Sequence, residues 1–291
     1  GDMDFDELQN NSLDIGVPVL ILHESRDGAW FYTASNSSCG WVKKECTAVC
    51  KSFSEFSEYN MKTPFIVVTN AKADIYLDEG LTKYYDYARM GSRFNLSDMN
   101  EGPKAFRISL PSRKEDGSFY SADAYVLKSD ANAGYLSYTP RNIIQQAFKM
   151  LNSPYGWGGM NGEQDCSSFI RQIFASAGIT LPRNSSAQAK VGESAGEFDP
   201  DTAAGIKSAI LKDKCAGGIT LLQLKGHIMM YLGEYNGLPY VIHETRGYSQ
   251  YIGGKIGLRV VNRVAVTGLT LGKGTPKKSL LERIKAIRII K

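Results

Sequence analysis

Histidine is scarce in this chain, with three among 291 residues. A site built on imidazole therefore has few candidates, and the N-terminal half offers only His23. Cys39, Cys46 and Cys50 cluster there without further ligands, which makes a poor zinc site. Five cysteines are too few and too odd for complete pairing. They read as buried thiols or one small bridge within Cys39, Cys46 and Cys50. Long apolar runs are missing as well. None approaches the roughly 20 residues of a membrane span, so no integral membrane segment is expected. No block of Lys or Arg is present and the net charge of +4 is mild. That excludes nucleic acid as an expected partner and leaves room for an anionic polymer. No leader pattern opens the chain. Gly1-Asp-Met3 reads as an expression remnant, with any signal peptide already removed.

What is present is enough apolar material, 43% of the residues, for a sizeable core and two or three domains. The 29 glycines and 16 tyrosines suggest turns and β-structure. Residues 17–22, 30–33 and 40–42 read as short strands between polar turns, as in a small β-barrel. Trp30 and Trp41 are expected in its core, with ligand stacking the lesser reading. Residues 65–68, 73–76, 106–110 and 124–127 form a second set of strands. Residues 78–104 are polar and read as an irregular insertion. Thr139-Pro140 opens the next region, because Thr caps a helix and Pro fits its first turn. Domains are therefore expected over 1–62, 63–138 and 139–291. In the last, helices at 140–151 and from about 165 to Gly178 precede strands at 227–232, 240–245, 258–261 and 284–290. Ser279-x-x-Glu282 is a capping box between them. Helices first and strands after is an α+β order.

Cys166 is the residue with chemical context. It follows the glycine-rich run Tyr155-Gly-Trp-Gly-Gly159 and opens an apolar-periodic helix. A thiolate is the nucleophile, and a helix N-terminus and an imidazolium partner both favour it. The Cys166 N–H is a natural oxyanion donor. Glycines 156, 158, 159 and 162 allow the backbone to approach a substrate closely. His227 and His243 are the available bases. They share a sheet face only if paired residue numbers across their hairpin add to an even number. A two-residue turn at Asn236-Gly237 gives an odd number and pairs His243 with Met230. Pro239 argues against a tight ladder, so a longer loop or a bulge is expected. Cys215 reads as structural.

These residues carry a resemblance. Tyr155-Gly-Trp-Gly-Gly159, Asp165-Cys166-Ser167, Leu181-Pro-Arg-Asn-Ser185 with Gln188, Gly226-His227 and His243 together resemble the NlpC/P60 cysteine peptidases over residues 140–291. The upstream half resembles bacterial SH3-like domains through Trp30, Gly40-Trp41 and the strand spacing. The resemblance implies an α+β, papain-like catalytic domain preceded by small SH3-like barrels. It implies hydrolysis of peptidoglycan stem peptides at the γ-D-glutamyl–diamino acid bond, without metal or other cofactor. Cys166 is then the nucleophile, His227 the general base and His243 its orienting partner. Tyr155, Asp165, Ser167 and Trp157 are the expected substrate contacts. Asp165 would hold a free α-amine, as in members acting on peptides with a free N-terminal L-alanine; Arg183 would be structural. Murein peptides are the expected partner and a monomer the expected state. Wall degradation implies a secreted or periplasmic location, favoured by a bridge among the N-terminal cysteines, whereas recycling of imported fragments implies the cytoplasm. An amidase or acyltransferase on the same thiol, or an inactive wall-binding protein, are the alternatives.

Overall fold

The computed structural model describes residues 8–97 and 102–291. The expected remnant at Gly1-Asp-Met3 and residues 98–101 of the expected insertion lie outside the described residues. The chain divides into two compact units: residues 13–136 with 175–178, and residues 8–12 with 137–174 and 179–291. Among the described residues the strands form three antiparallel sheets.

The first unit begins with the three-stranded sheet β1 (Leu20–Glu24), β2 (Trp30–Ala34) and β3 (Cys39–Lys43). Helix α1 (Phe53–Asn60) follows, capped by Ser52. Next come β4 (Phe65–Val68), β5 (Lys72–Tyr76), β6 (Tyr84–Arg89), β7 (Arg93–Leu96), β8 (Ala105–Arg113), β9 (Phe119–Leu127) and β10 (Ala131–Ala133). They form one sheet in the order β10-β4-β7-β8-β9-β5-β6. Its core gathers Ile66, Val68, Ile75, Phe94, Ile108, Leu110 and Val126.

The expectation of an irregular insertion over 78–104 is corrected here, because β6 and β7 lie within it as members of that sheet. β6 is an edge strand that exposes Tyr84 and Tyr85 and buries only Ala88 and Arg89. Its sequence therefore lacks the apolar alternation by which a half-buried strand is recognised. The two tryptophans also depart from expectation. Trp30 and Trp41 are 37% and 50% exposed, so neither fills a core. They line a surface depression with Ser25, Arg26 and Asp27. Three short strands leave one face of this sheet open, and the large rings lie on it.

The second unit opens its helical part with α2 (Pro140–Lys149). Thr139 Oγ1 accepts from Asn142 N at 3.2 Å, and Pro140 occupies the first turn as its fixed φ allows. Ile143 and Ala147 are buried, whereas Phe148 and Leu151, expected on the same stripe, are exposed. Helix α3 (Cys166–Ala175) buries Phe169, Ile170, Ile173 and Phe174 completely. After α4 (Ser185–Gln188), β11 (Glu193–Glu197) and α5 (Ala204–Lys214) come β12 (Thr220–Leu224), β13 (His227–Tyr235), β14 (Leu238–Ile252) and β15 (Lys255–Gly268). The chain closes with α6 (Leu280–Arg283) and β16 (Ala286–Ile289). The capping box is formed at α6, with Ser279 and Glu282 bonded reciprocally. The sheet order is β11-β16-β12-β13-β14-β15. On one face Leu222, Leu224, Met229, Tyr231 and Val241 pack with Leu211 of α5 and Leu280 of α6.

Candidate active site

Residues 152–165 are laced onto the edge of β15 before they deliver α3. Asn152 N donates to Val264 O at 3.0 Å, Val264 N to Ser153 O at 3.0 Å and Tyr155 N to Asn262 O at 3.2 Å. A 3-10 turn over Trp157–Gly162 then reverses the chain, with Gly158 at φ 59° and Gly159 at φ 87°. Both values lie in the left-handed region that glycine enters freely. Their lack of a side chain serves a second need. A Cβ on Gly158 would lie 2.0 Å from Gln9 O, and one on Gly159 would lie 2.1 Å from Ser12 Oγ. These two glycines thus make room for the chain's own residues 9–12, where the sequence suggested room for a substrate.

Asp165 is the cap of α3. Its Oδ1 accepts from Ser168 N at 2.9 Å and from Ser167 N at 3.1 Å, and Ser167 Oγ donates to it at 2.9 Å. Arg183 completes the arrangement as a two-pronged pair, Nη2 to Oδ2 at 2.6 Å and Nη1 to Oδ1 at 3.1 Å. Arg183 Nη1 also reaches Ser167 Oγ, and its Nε donates to Asn11 Oδ1 at 2.7 Å. Burial would raise the Asp165 carboxyl, but the guanidinium and the helix amides outweigh it and hold it below the usual carboxylate range. Asp165 and Ser167 therefore set the head of the helix. Among the described residues Oδ2 is bonded to Arg183 Nη2 alone and is the oxygen with acceptor capacity left.

Cys166 is the first residue of α3 and 9% exposed. The backbone amides of Ile228, the residue directly after His227, and of Ser167 lie where they favour the thiolate. Burial, reinforced by the neighbouring Asp165, pushes the thiol up to about 12 against the pull of those amides and Arg183. Burial also takes His227 down to about 4, with Arg283 adding in the same direction. Burial and the adjacent His227 carry His243 well below its ordinary value. The resting pair is therefore a neutral thiol with neutral imidazoles, not the thiolate that the helix terminus alone would favour. A helix end contributes about 0.3–2 kcal/mol, and full burial of a charge outweighs it.

The two histidines meet. His227 Nε2 lies 2.7 Å from His243 Nδ1, and His243 Nε2 lies 3.0 Å from Thr267 Oγ1. The two-residue turn at Asn236-Gly237 does form, with Tyr235 opposite Leu238 and Pro239 inside the ladder opposite Glu234. The ladder then slips at Leu232, so that Tyr231 faces Val241 and Met230 faces Ile242. This bulge makes the pairing even and turns both histidines to one face. The expectation of a bulge holds, while Pro239 is not its cause. A second slip separates Thr245 from Gly247 in the β14–β15 hairpin, whose turn is Gly253-Gly254. It pairs His243 with Ala265 and so brings Thr267, two residues on, to the same face. Thr267 had no signal in the sequence, since its role depends on a bulge in a hairpin longer than its apolar pattern shows.

The chain of contacts fixes the proton positions for a base. If one nitrogen of His227 is to receive a proton, its Nε2–H donates to His243 Nδ1, and His243 Nε2–H then donates to Thr267 Oγ1. Tyr155 completes the cluster within electrostatic reach of Cys166, Asp165 and Glu244; burial pushes its hydroxyl well above the ordinary range, so it stays a donor. Trp157 begins the 3-10 turn and is partly buried. Cys215 packs against the apolar cluster beneath β12 and β13. Cys39, Cys46 and Cys50 are free thiols, the first two exposed, so the expected burial or bridge is not found. No helix among the described residues is long and apolar enough to cross a membrane.

Residues 152–251, the span holding this loop, the thiol and both histidines, match the model of the NlpC/P60 family. The chain carries an NlpC/P60 domain. Residues 1–43 match an SH3 domain of the SH3b1 type. The α+β catalytic fold preceded by SH3-like sheets agrees with the expectation. A γ-D-glutamyl-L-lysine dipeptidyl-peptidase of Bacillus cereus is 25% identical over 221 residues, covering 71% of this chain and 56% of its own length. Its Bacillus subtilis namesake is 37% identical over 86 residues, covering 28% of this chain and 29% of its own length. The chain thus spans little more than half of the first of these relatives and less of the second. A solved NlpC/P60 endopeptidase from Photobacterium damselae superposes with a TM-score of 0.78 at 21% identity, covering 99% of this chain and 66% of that one. An NlpC/P60 family protein from Bacillus cereus gives 0.64 at 20% identity, covering 94% and 79%. At those identities the likeness is one of fold.

Proposed function

We propose that this NlpC/P60 protein is a cysteine peptidase acting on peptidoglycan peptides, at the γ-D-glutamyl–diamino acid bond of fragments with a free N-terminal L-alanine. The observation that carries the reading is the chain His227–His243–Thr267, which begins one residue before Ile228, whose amide favours the Cys166 thiolate. A buried neutral thiol needs a base that takes its proton during attack, and this chain presets the tautomer that can.

In the first step the Cys166 proton passes to His227 as the sulfur bonds to the γ-D-glutamyl carbonyl carbon. The Cys166 N–H and the Tyr155 hydroxyl face the developing oxyanion. Collapse breaks the C–N bond, and the amine of the diamino acid leaves with the proton from His227. Water, deprotonated by His227, then hydrolyses the thioester and restores the thiol. The peptide's free ammonium is taken by Asp165 Oδ2, with Ser167 and Trp157 lining the approach. The likeness to two γ-D-glutamyl-L-lysine dipeptidyl-peptidases supports a γ-D-glutamyl bond as the target.

The test incubates the purified protein and Cys166→Ala with L-Ala-γ-D-Glu-diaminopimelate, with its N-acetylated form and with intact sacculi, followed by mass analysis. Release of L-Ala-γ-D-Glu from the free peptide alone supports the reading. Cleavage between sugar and peptide would make it an amidase, and turnover by Cys166→Ala would remove the thiol from the mechanism.

A further inference from the structure

Glu244 follows His243 on β14, so strand alternation turns it to the opposite face. It is fully buried. Gln164 Nε2 donates to its Oε2 at 3.1 Å, while its Oε1 has no hydrogen-bond partner among the described residues. Gln164 in turn closes the loop that delivers the nucleophile, since its carbonyl accepts from Gly156 N at 2.9 Å and its backbone pairs with Tyr155. The proposed chemistry gives Glu244 no step. Yet a carboxyl with 0% exposure and one orphan oxygen is costly unless its location has a use.

We propose that Glu244 is a positioning residue that, through Gln164, pins the Tyr155–Asp165 loop to the strand bearing His243. The inference rests on the reading above for its kinetic arm only. The groups facing Glu244 decide its charge. From the loop these are Tyr155, Glu163 and Asp165, and across the ladder it meets Val264. The nearby guanidinium, Arg183, is already paired with Asp165. With acids on one side and apolar chain on the other, the neutral acid is the form that fits. Burial first, and then Glu163 and Asp165, raise the carboxyl to about 9 against the pull of the Gln164 amide. Ionisation leaves a buried anion that the loop must open to hydrate.

The sign follows from linkage. An acid with a folded pKa near 9 and an ordinary value of 4.5 makes stability fall as pH rises through that window. Glu244→Gln keeps the shape and the acceptor for Gln164 but cannot ionise. Glu244→Ala removes the pin. The experiment measures Tm, the rate at which iodoacetamide alkylates Cys166, and kcat and KM on L-Ala-γ-D-Glu-diaminopimelate, for all three proteins from pH 5 to 10. The wild-type Tm should fall between about pH 5 and 9, and that of E244Q should stay flatter. E244A should lose about tenfold or more in kcat with little change in KM, the mark of a misplaced group, and E244Q should recover it and hold activity to higher pH. Alkylation of Cys166 in the wild type should accelerate near pH 9, more steeply than in E244Q. Equal Tm and alkylation profiles in wild type and E244Q would overturn the proposal, as would E244A with unchanged kcat. If the wild type cleaves no such peptide, the functional reading fails, and the Tm and alkylation profiles still decide the role of Glu244.

Discussion

The β8–β9 hairpin of the first unit and the β13–β14–β15 ladders of the second use one device for two purposes. In β8–β9 nine residues face nine without a slip, from Ala105 opposite Leu127 to Arg113 opposite Phe119. Ile108, Leu110, Ala124 and Val126 are all fully buried there. In the second unit's sheet the β13–β14 and β14–β15 ladders each slip once. A tight two-residue turn always pairs an odd residue with an even one. An unbroken ladder would therefore send His227 and His243, both odd-numbered, to opposite faces. One extra residue per hairpin corrects this, and three polar side chains on successive strands come into line. Regular pairing suffices where a strand only fills a core. A hydrogen-bonded chain through His227, His243 and Thr267, all odd-numbered on strands joined by two-residue turns, needs interrupted pairing.

Removing the interruption should therefore be the most damaging change to the ladders. Deletion of Leu232 restores an unbroken ladder and turns His243 away from His227. We expect kcat to fall by on the order of 10²–10⁴ with a folded protein by circular dichroism. Retained activity would show that the slip has no role. The burial of the relay sets a second contrast. His227, held near 4, stays neutral far below the usual histidine value of 6.5. The acid limb of kcat/KM should thus lie near pH 4, and the stability contributed by the neutral ring, complete above about 6.5, should be lost as pH falls through about 4. A limb at 6.5 would mean an imidazole open to water.

In the unbroken ladder the response should be in stability instead. Ile108→Ala leaves a cavity in the first unit's core and should cost about 2–5 kcal/mol in denaturant unfolding. Thr267→Val tests the far end of the relay. Losing the acceptor for His243 Nε2–H should lower kcat roughly three- to tenfold. The smallest effect is expected at Asn11→Ala, which withdraws one bond from Arg183 and should cost about 1 kcal/mol of stability.

Where local chemistry decides, the sequence was readable. Thr139-Pro140, Asp165-Cys166 and the Ser279–Glu282 box are helix starts that a few adjacent side chains dictate, and each lies where expected. The strands of the seven-stranded sheet were found wherever buried β-branched residues cluster, as at Phe65–Val68. The edge strand β6 was missed because exposure removes the pattern, as Tyr84 and Tyr85 show, and the interior β7 because its buried run is only Phe94 to Leu96 within a polar stretch. Trp30 and Trp41 misled because ring size predicts burial only in a barrel thick enough to cover them. In the candidate site, Cys166 and the two histidines were legible as residue types in context. A longer loop or a bulge was expected from Pro239, which lies inside the ladder, while the slip itself is at Leu232. Thr267, Asn11 and Glu244 act through contacts between segments far apart in the chain, and one sequence carries no local trace of those.

The strap at residues 9–12 has a consequence in time. Asn11 is bonded to Arg183, 172 residues later. Ribosomes add about 5–20 residues per second, so the strap waits roughly 10–30 s before its partner has been made. Everything between them, including the whole of the first β-rich unit, is synthesised in that interval. The segment that leaves the ribosome early is thus among the last to find its place, and the loop it closes is long and entropically costly to form. During synthesis the nucleophile's loop is complete in sequence well before it is complete in structure.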